Sequence, residues 1–290
     1  MSSLTKNINQ ELNQGNNAGK PKKVKFKPPY AWIVTWVYLV VILLIPISAL
    51  LAKSVTTTPE EIWRIATSDV ALSAYNVTFV TALWAGTIGG IFGTLVAWVL
   101  VRYNFPGKKI IDAAVDLPFA LPTAVAGISL ATVYSPTGWI GAIFEPLGIK
   151  IAFTRIGVFI AMLFIALPFV VRTLQPVLLE MEKDIEEVAW CLGATQWQTF
   201  YKVIFPPLIP PILTGIVLGF SRAVGEFGSI VIIASNIPFE DLIAPVLIFQ
   251  RLEEYDYVGA TIIGMVMLII SLILILIINF LQKWGQRYGH

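Results

Sequence analysis

Long stretches without a charged residue are the feature that most limits what this sequence can fold into. Three of them run over Trp32–Ala52, Tyr75–Val101 and Val258–Leu281. A bilayer core of about 30 Å is crossed by about 20 apolar helical residues, so each run is long enough to span it. Of all residues, 57% are hydrophobic and 13% are charged, whereas soluble domains carry about 25% charged residues. An ordinary soluble fold is therefore excluded, and the sequence predicts an all-α integral membrane protein.

Three further predicted spans are interrupted by charges or prolines. They run over Ile110–Tyr134, Ile156–Leu174 and Phe205–Ala234. Arg155 and Arg172 flank the middle one, and we expect them to extend toward opposite surfaces. The sequence thus predicts six transmembrane helices with both termini on one side. The interruptions are Asp112, Asp116, Pro118 and Pro122 in the first of these spans, and Arg222 and Glu226 in the last.

The basic residues divide unequally between the two ends of the predicted spans. With the N-terminus in the cytoplasm, 14 of the 20 lysines and arginines fall on the cytoplasmic side, five fall outside, and Arg222 lies within a span. Cytoplasmic segments carry the excess of Lys and Arg, so we predict that both termini are cytoplasmic (N-in, C-in). The net charge of +2 provides no broad basic face, and no nucleic-acid partner is expected.

Residues 1–29 differ in composition from the rest of the chain. They are rich in Lys, Asn and Gln and contain three prolines. Such a segment lacks the apolar residues needed to build a core, so a disordered cytoplasmic tail is predicted. It also lacks the apolar stretch and cleavage site of a signal peptide. A six-helix transmembrane domain is predicted over residues 30–290.

Side chains that usually perform catalysis are scarce. The chain has one cysteine, Cys191, and one histidine, His290, so Cys/His metal sites and Ser/His or Cys/His nucleophiles are not expected. No phosphate-binding loop of the form G-x-x-x-x-G-K-[ST] occurs. We therefore expect no catalytic residue, metal or cofactor. A lone thiol such as Cys191 is expected to be packing or exposed filler rather than a redox switch.

The connection between the fourth and fifth predicted spans is amphipathic rather than apolar. Over residues 177–192 the apolar residues recur three or four apart, and most positions between them are charged. This pattern is typical of a helix that faces water. Gly193 is placed to end that helix in a left-handed conformation.

A second short helix is predicted directly after that glycine. Thr195 and Gln198 have the spacing of a capping box, and Pro206 opens the next span. The sequence therefore predicts a cytoplasmic helix-turn-helix within residues 175–205, whose aromatic side chains offer a partner something to bury.

Part of this connection resembles the EAA loop, E-A-A-x3-G-x9-I-x-L-P, of the membrane subunits of bacterial ABC importers. The Glu, Gly and Pro positions, the second Ala and the spacing agree, while Val188, Val203 and Phe205 replace other apolar residues of the pattern. In that family the loop is a coupling helix that docks in a cleft of the ATP-hydrolysing subunit. The resemblance implies that a separate subunit binds ATP and that this chain is not an enzyme. The expected coupling residues are Glu187, Ala189, Gly193, Thr195 and Pro206.

Five other stretches indicate which members of that family the chain resembles. Arg102–Lys108, Leu117–Gly127 and Ser221–Gly228 are similar to permeases for tetrahedral oxyanions, and Tyr134–Gly141 and Ile248–Tyr257 resemble the T-type subunit for sulfate and thiosulfate. The resemblance implies a permease that works by alternating access in the bacterial inner (plasma) membrane or, in an alga, the plastid inner envelope. The implied partners are a related W-type permease or a second copy of this chain, two ATP-binding subunits and an external sulfate-binding protein.

Two alternatives stay open at this stage. Molybdate or tungstate is the alternative substrate, because oxyanions of this shape are selected mainly by the binding protein. From a different class, an ion-coupled secondary carrier would usually show internal repeats with paired broken helices and would need no docking helix.

Charges inside the fifth predicted span mark a candidate anion path. Arg222 and Glu226 lie four apart and can pair across a turn. A charge at the bilayer centre costs about 2.5–3.5 kcal/mol, so both should face protein or water. Either the pair only fastens this helix to its neighbours, or Arg222 lends positive potential to a path that also includes Ser221. Pro118 and Pro122 free main-chain groups on the third helix, which places the candidate path between the third and fifth helices.

Two other groups have two interpretations each. Asp112 and Asp116 lie four apart near the inner surface and are either solvated at the interface or involved in proton or gate chemistry. The glycines of the second span fall three and four apart, which favours close helix packing over a cofactor site. They are Gly86, Gly89, Gly90 and Gly93.

Overall fold

The computed structural model describes residues 30–55, 57–182 and 184–287. All regular secondary structure in these ranges is helical, which confirms the predicted all-α class. The described residues divide into two units, with the boundary between Ala49 and Leu50. The predicted tail, residues 1–29, lies outside the described residues.

The α-helices are α1 Ala31–Leu39, α2 Ile45–Val55, α3 Pro59–Ala66, α4 Asp69–Arg102, α5 Lys108–Val115, α6 Leu117–Ala120, α7 Thr123–Tyr134, α8 Gly141–Phe144, α9 Arg155–Glu180, α10 Asp184–Cys191, α11 Gln196–Thr199, α12 Phe205–Val224, α13 Ile230–Ile233, α14 Ala244–Glu253 and α15 Tyr257–Arg287.

In the described ranges, five helical segments are long and apolar enough to cross a membrane. The first belongs to the unit 1–49, apart from its last residue, and the other four to the unit 50–290. They agree with five of the six predicted spans, apart from their ends. The segments are Trp32–Leu50, Asp69–Arg102, Arg155–Glu180, Gln196–Val224 and Tyr257–Ile278.

The third predicted span is not one continuous helix. It consists of α5, the four-residue α6 and the twelve-residue α7. Leu121 and Pro122 have extended ψ angles of 136° and 134° between the last two. A proline ring removes a main-chain donor and keeps the preceding residue out of the helical region, so Pro122 separates α7 from α6.

The core of the larger unit is the packing of α4, α9 and α12, and glycines set its spacing. A Cβ on Gly93 of α4 would lie 2.8 Å from Val170 Cβ on α9, and one on Gly90 would lie 2.6 Å from Ile216 Cδ1 on α12. A Cβ on Gly215 of α12 would lie 2.6 Å from Val170 Cα. Only glycine allows helices to approach this closely, so the packing interpretation of the α4 glycines is confirmed.

The fifth predicted span ends earlier than expected. Its helix, α12, stops at Val224, and Gly225 is the C-cap. The next residues form a short loop that packs on α7: a Cβ on Gly127 would lie 2.7 Å from the Ser229 carbonyl oxygen, and one on Gly228 would lie 2.1 Å from Thr123 Oγ1. The broken third helix therefore meets the loop that follows α12.

Candidate functional site: a coupling knob and an interior charge pair

The predicted helix-turn-helix is present, and we call residues 184–204 the knob. Its turn is closed by main-chain bonds from Gly193 N to Trp190 O at 2.9 Å and from Ala194 N to Ala189 O at 3.0 Å. This is a Schellman motif, which requires a left-handed residue after the helix. Gly193 has φ +85°, so its predicted conformation is confirmed.

The predicted capping box is also present. Thr195 Oγ1 accepts a hydrogen bond from Gln198 N at 3.3 Å, and Gln198 Oε1 accepts one from Thr195 N at 2.9 Å. Because the Schellman turn and the capping box are adjacent, the two knob helices are held at a fixed angle by four hydrogen bonds. Pro206 lies in the first turn of α12, directly after a π-helical turn over Phe200–Ile204.

The outer surface of the knob is apolar and open. Glu187 is exposed and Ala189, two positions on, is buried. Leu192 is 83% exposed and Trp197 is 69% exposed. Such residues at the tip of a rigid protrusion are what a protein partner buries. Other exposed apolar residues of the knob are Ile185, Val188, Trp190 and Tyr201.

A buried ion pair attaches the knob to α4. Arg102 Nη2 and Glu186 Oε1 are 2.7 Å apart, and their side chains are only 10% and 18% exposed. The Arg102 guanidinium carbon also lies 5.2 Å from the centroid of the Trp98 ring, and the Trp98 and Phe200 rings form a T-shaped contact with centroids 5.9 Å apart. The sequence alone did not predict the Arg102–Glu186 pair, because Arg102 has the pattern of an ordinary basic residue at the end of a span.

The charges inside the fifth predicted span pair as expected. Arg222 Nη1 donates to Glu226 Oε2 at 2.7 Å. The other carboxylate oxygen accepts hydrogen bonds from Ser229 N at 3.1 Å and from Ser229 Oγ at 3.0 Å. The Glu226 side chain is 2% exposed and that of Arg222 is 40% exposed. Glu226 is thus fixed by the loop after α12, and the Arg222 guanidinium keeps an open side.

The remaining candidate path residues lie in different surroundings. Ser221 Oγ donates to Val217 O of its own helix at 2.8 Å. Pro122 precedes Thr123, whose side chain packs against Gly228 in the loop that follows α12. Pro118 lines an apolar groove of about 390 Å³ between α5, α7 and α9. The structure therefore joins the start of α7 to the loop that holds Glu226, whereas Pro118 faces apolar side chains.

A second charged cluster, also missed by sequence reasoning, lies on α9. Arg172 Nε and Nη2 donate to the two carboxylate oxygens of Asp116 at 2.7 and 2.6 Å. Its Nη1 donates to Asp112 Oδ1 at 2.7 Å, and Nη2 also donates to the Asp112 carbonyl at 2.8 Å. Arg172 thus binds the two aspartates instead of extending freely to a surface. Neither interpretation of the aspartates had included this partner.

Arg155, at the opposite end of α9, binds main-chain carbonyls. Its Nε donates to Glu240 O at 2.8 Å and its Nη2 to Phe239 O at 3.3 Å. Phe239 has φ +69°, a conformation that is unfavourable for a bulky residue. Arg155 therefore helps to hold the loop between α13 and α14 in a strained shape.

Comparison with known proteins supplies the family context. Residues 89–287 match the family described as binding-protein-dependent transport system inner membrane component. The chain is 68% identical over 259 residues to the sulfate transport system permease protein CysT of Synechocystis, which covers 89% of this chain and 91% of that one. It is 62% identical to the probable sulfate transport system permease protein of Chlorokybus atmophyticus, over the same shares.

Solved structures with a similar fold include ABC transporters. One is a bacterial alginate ABC transporter in complex with its pentasaccharide-bound periplasmic protein, with a TM-score of 0.73 and 18% identity over 90% of this chain and 96% of that one. Another is the MetNI methionine ABC transporter in inward-facing conformations, with a TM-score of 0.56 and 18% identity over 81% of this chain and 100% of that one. At such identities the likeness establishes the fold alone.

Proposed function

The chain belongs to the family of binding-protein-dependent transport system inner membrane components, and we propose that it is the membrane-spanning permease subunit of an ATP-driven importer of sulfate or thiosulfate. The observation that carries the substrate is its 68% and 62% identity to sulfate permeases over 259 residues. The knob supports the coupling role, because its rigid turn presents the EAA-type residues at the end of the bundle.

The proposed topology has six spans with both termini in the cytoplasm. Five spans are the long apolar helices, and the sixth is the broken helix α5–α7, in which the hydrophobic α7 covers only part of the bilayer. The unequal division of basic residues supports the orientation. The membrane would be the inner membrane of a bacterium or, in an alga, the plastid inner envelope, and relatives occur in both a cyanobacterium and a green alga.

In the proposed assembly, this chain pairs with a related W-type permease or with a second copy of itself. Two ATP-binding subunits would dock on the knobs, and an external sulfate-binding protein would deliver the anion. Glu187 and the exposed apolar residues of the knob would contact the ATPase, while Ala189, Gly193, Thr195 and Pro206 shape the contact surface. ATP would be bound and hydrolysed on the partner, so this chain itself needs no cofactor.

Alternating access then follows from the stiffness of the knob. When the ATP-binding subunits close, the two knobs approach each other and the helices attached to them tilt, so the path opens to the outside and receives the anion. Because the knob turn is fixed by four hydrogen bonds, it transmits this displacement instead of absorbing it.

Arg222 is the proposed anion contact. A guanidinium attracts a tetrahedral oxyanion through paired N–H donors, and Arg222 keeps an open side while Glu226 holds it. The start of α7, behind Pro122, packs on the same loop and would form the facing wall. Ser221 would lie on the Arg222 side of the path, whereas Pro118 lines an apolar groove. Because Arg222 and Glu226 together carry no net charge, the site would bind the anion weakly enough to release it.

Uptake of labelled anions tests the function directly. In a strain that lacks this chain, restoring it should restore uptake of sulfate or thiosulfate that stops when ATP is depleted and continues when the ion gradients are collapsed. Uptake of molybdate or tungstate alone would replace the proposed substrate with the alternative one. Uptake that collapses with the ion gradient at constant ATP would instead identify a secondary carrier and refute the ABC role.

A further inference from the structure

The part of the chain that leads from the end of α4 toward α7 is held at both ends by charged contacts. We call residues 102–116 the connecting segment; it contains Arg102, which is the last residue of α4, a short loop, α5 and Asp116. At its start, Arg102 pairs with Glu186 of the knob. At its end, Asp112 and Asp116 bind Arg172 of α9. The segment therefore touches the knob at one end and leads toward α7 at the other.

The contact at Arg172 uses the complete donor set of an arginine. A guanidinium has five N–H donors in one plane. Here Nε and one Nη2 donor bind Asp116, the other Nη2 donor binds the Asp112 carbonyl, and Nη1 binds Asp112 Oδ1 and Gln175 Oε1. Gln175 in turn donates to Asp112 Oδ1 at 2.9 Å. Such a fork fixes both the position and the angle of α5 on α9.

Helix α9 is continuous but contains a proline on each side of Arg172. Pro168 and Pro176 lie inside α9, each four residues from Arg172. Each proline removes one main-chain hydrogen bond and lets a helix bend. Asp116 also accepts main-chain bonds from α6, at Phe119 N and Ala120 N. Since only α6, Leu121 and Pro122 separate Asp116 from α7, the Arg172 cluster attaches α9 to the part of the chain that leads into α7.

The contact at Arg102 is of a different kind. The guanidinium and the carboxylate form a close ion pair, yet Arg102 Nε, Arg102 Nη2 and Glu186 Oε1 are buried without an aligned hydrogen bond. A buried charge pair of this type remains attracted over a range of angles, because Coulomb attraction depends on distance more than on alignment. It can therefore stay attached while the knob rotates against α4.

We propose that the connecting segment carries the movement of the knob to α7, with Arg102, Glu186 and Arg172 as positioning residues. The Arg102–Glu186 pair acts as the pivot that follows the knob, and the Arg172 fork makes the end of the segment move as one body with α9. This inference rests on the proposed function, in which the knob receives the movement of an ATPase.

Charge exchange tests the pivot in the assembled importer, with the partner permease, the ATP-binding subunits and the binding protein present. The variants are Glu186→Arg, Arg102→Glu and the double exchange, measured for ATPase co-purification, ATP hydrolysis and sulfate moved per ATP. We expect each single variant to keep the ATPase subunits and to hydrolyse ATP, with sulfate per ATP reduced about tenfold. The double exchange restores the pair with opposite polarity and should recover most of the ratio.

A matched control reverses a different positive charge in the same segment. Lys109 is exposed on α5. Lys109→Glu therefore changes the net charge of the connecting segment by the same amount as Arg102→Glu, but it leaves the Arg102–Glu186 pair intact. Its ratio of sulfate to ATP should equal that of the unaltered chain. For the fork, Arg172→Lys keeps the charge but not the planar donor set, so it should lower the ratio, and Arg172→Gln should lower it further.

A second measurement follows the movement itself. Cys191, the only cysteine of this chain, is exposed on the knob and can carry a spin label, and Ser129→Cys places a second label on an exposed position of α7. In the unaltered importer both labels should respond to ATP. With Glu186→Arg, the Cys191 label should respond and the Ser129 label should not.

Three results would overturn the inference: single exchanges with a normal ratio, single exchanges that lose the ATPase subunits, or a double exchange that recovers nothing. The first shows that the pair is not needed, the second that it shapes the docking surface, and the third that it only supports the fold. A failure of the proposed function is distinct, because the unaltered importer would then move no sulfate.

Discussion

Glu226, in the loop just after α12, binds Arg222 in the last turn of that helix at 2.7 Å, with the glutamate buried and the arginine 40% exposed. Both oxygens of Glu226 accept hydrogen bonds from Arg222 and Ser229, and a carboxylate offers no donor to an anionic substrate. The open side of the pair belongs to the arginine. The arrangement thus leaves one side of the arginine accessible, as its proposed role as anion contact requires.

Arg222→Ala should lower sulfate uptake about tenfold or more, since a hydrogen bond to a charged group contributes about 1.5–3 kcal/mol. Arg222→Lys keeps the positive charge and should retain part of the activity, mainly with a raised KM. The initial rate of labelled sulfate uptake at several concentrations measures both. Unchanged uptake in the alanine variant would leave Arg222 with a packing role only.

Glu226→Ala should destabilise the protein as well as reduce transport. It removes the acceptor of the buried Ser229 N–H and leaves Arg222 without its partner, which costs on the order of 2 kcal/mol. Glu226→Gln keeps an acceptor for Ser229 and should retain more of the thermal stability. The Tm of the purified protein in detergent compares the two. Equal Tm values for both variants would contradict the account of Glu226 as the holding residue.

The features that the sequence predicted correctly at the site are local ones. The left-handed Gly193, the Thr195–Gln198 capping box and the Arg222–Glu226 pair each join residues no more than four positions apart. Helix geometry fixes such distances once the helix is placed. Spacing in the sequence was therefore sufficient to find them.

The contacts that the sequence did not reveal join distant parts of the chain. Arg172 binds Asp116 and Asp112, which are 56 and 60 positions away, and Arg102 meets Glu186 only because α4 and the knob lie side by side. Each of these residues reads as an ordinary charge near the end of a span. Their pairing depends on how the helices pack, and periodicity within one helix contains no information about that.

The ends of the helices were predicted only in part, because they depend both on local sequence and on contacts between distant residues. The interruption of the third predicted span followed from Pro118 and Pro122, but its division into α5, α6 and α7 depends also on the Arg172 cluster that holds α5. The end of α12 at Val224 was not predicted, because the residues that follow it, apart from Glu226, are small or apolar. There the close packing of Gly228 on Thr123 decides the structure.

Glu187→Lys should leave the protein in the membrane and abolish co-purification of the ATPase. Glu187 is exposed on the knob, so reversing its charge has little effect on the fold, whereas a reversed charge in a docking surface opposes binding. Glu187→Gln serves as the control and should retain partial binding. Pull-down of the ATP-binding subunit from detergent-solubilised membranes measures this. Normal recovery with Glu187→Lys would exclude Glu187 from the docking surface.

Gly193→Val should abolish transport, whereas Gly193→Asn should retain most of it. The position has φ +85°, which a β-branched residue adopts only with strain, while asparagine tolerates the left-handed region. No atom lies within 4 Å of a Cβ built there, so both side chains have room and the difference reports backbone conformation alone. Sulfate uptake and ATPase pull-down should fall together for the valine variant. Equal loss for both variants would show that the surface of the turn matters rather than its angle.

Gly215→Val should prevent the larger unit from folding. A Cβ at Gly215 would lie 2.6 Å from Val170 Cα and 2.5 Å from Thr173 Oγ1, and a main-chain atom in a packed helix cannot move aside. Overpacking of this kind costs about 1–3 kcal/mol or more. Gly264→Ala on α15 is the matched control, because its Cβ would meet only Ile248 Cδ1 at 3.9 Å. The yield of monodisperse protein after detergent extraction should collapse for Gly215→Val and stay normal for Gly264→Ala. A normal yield for Gly215→Val would mean that α9 and α12 pack less closely than described.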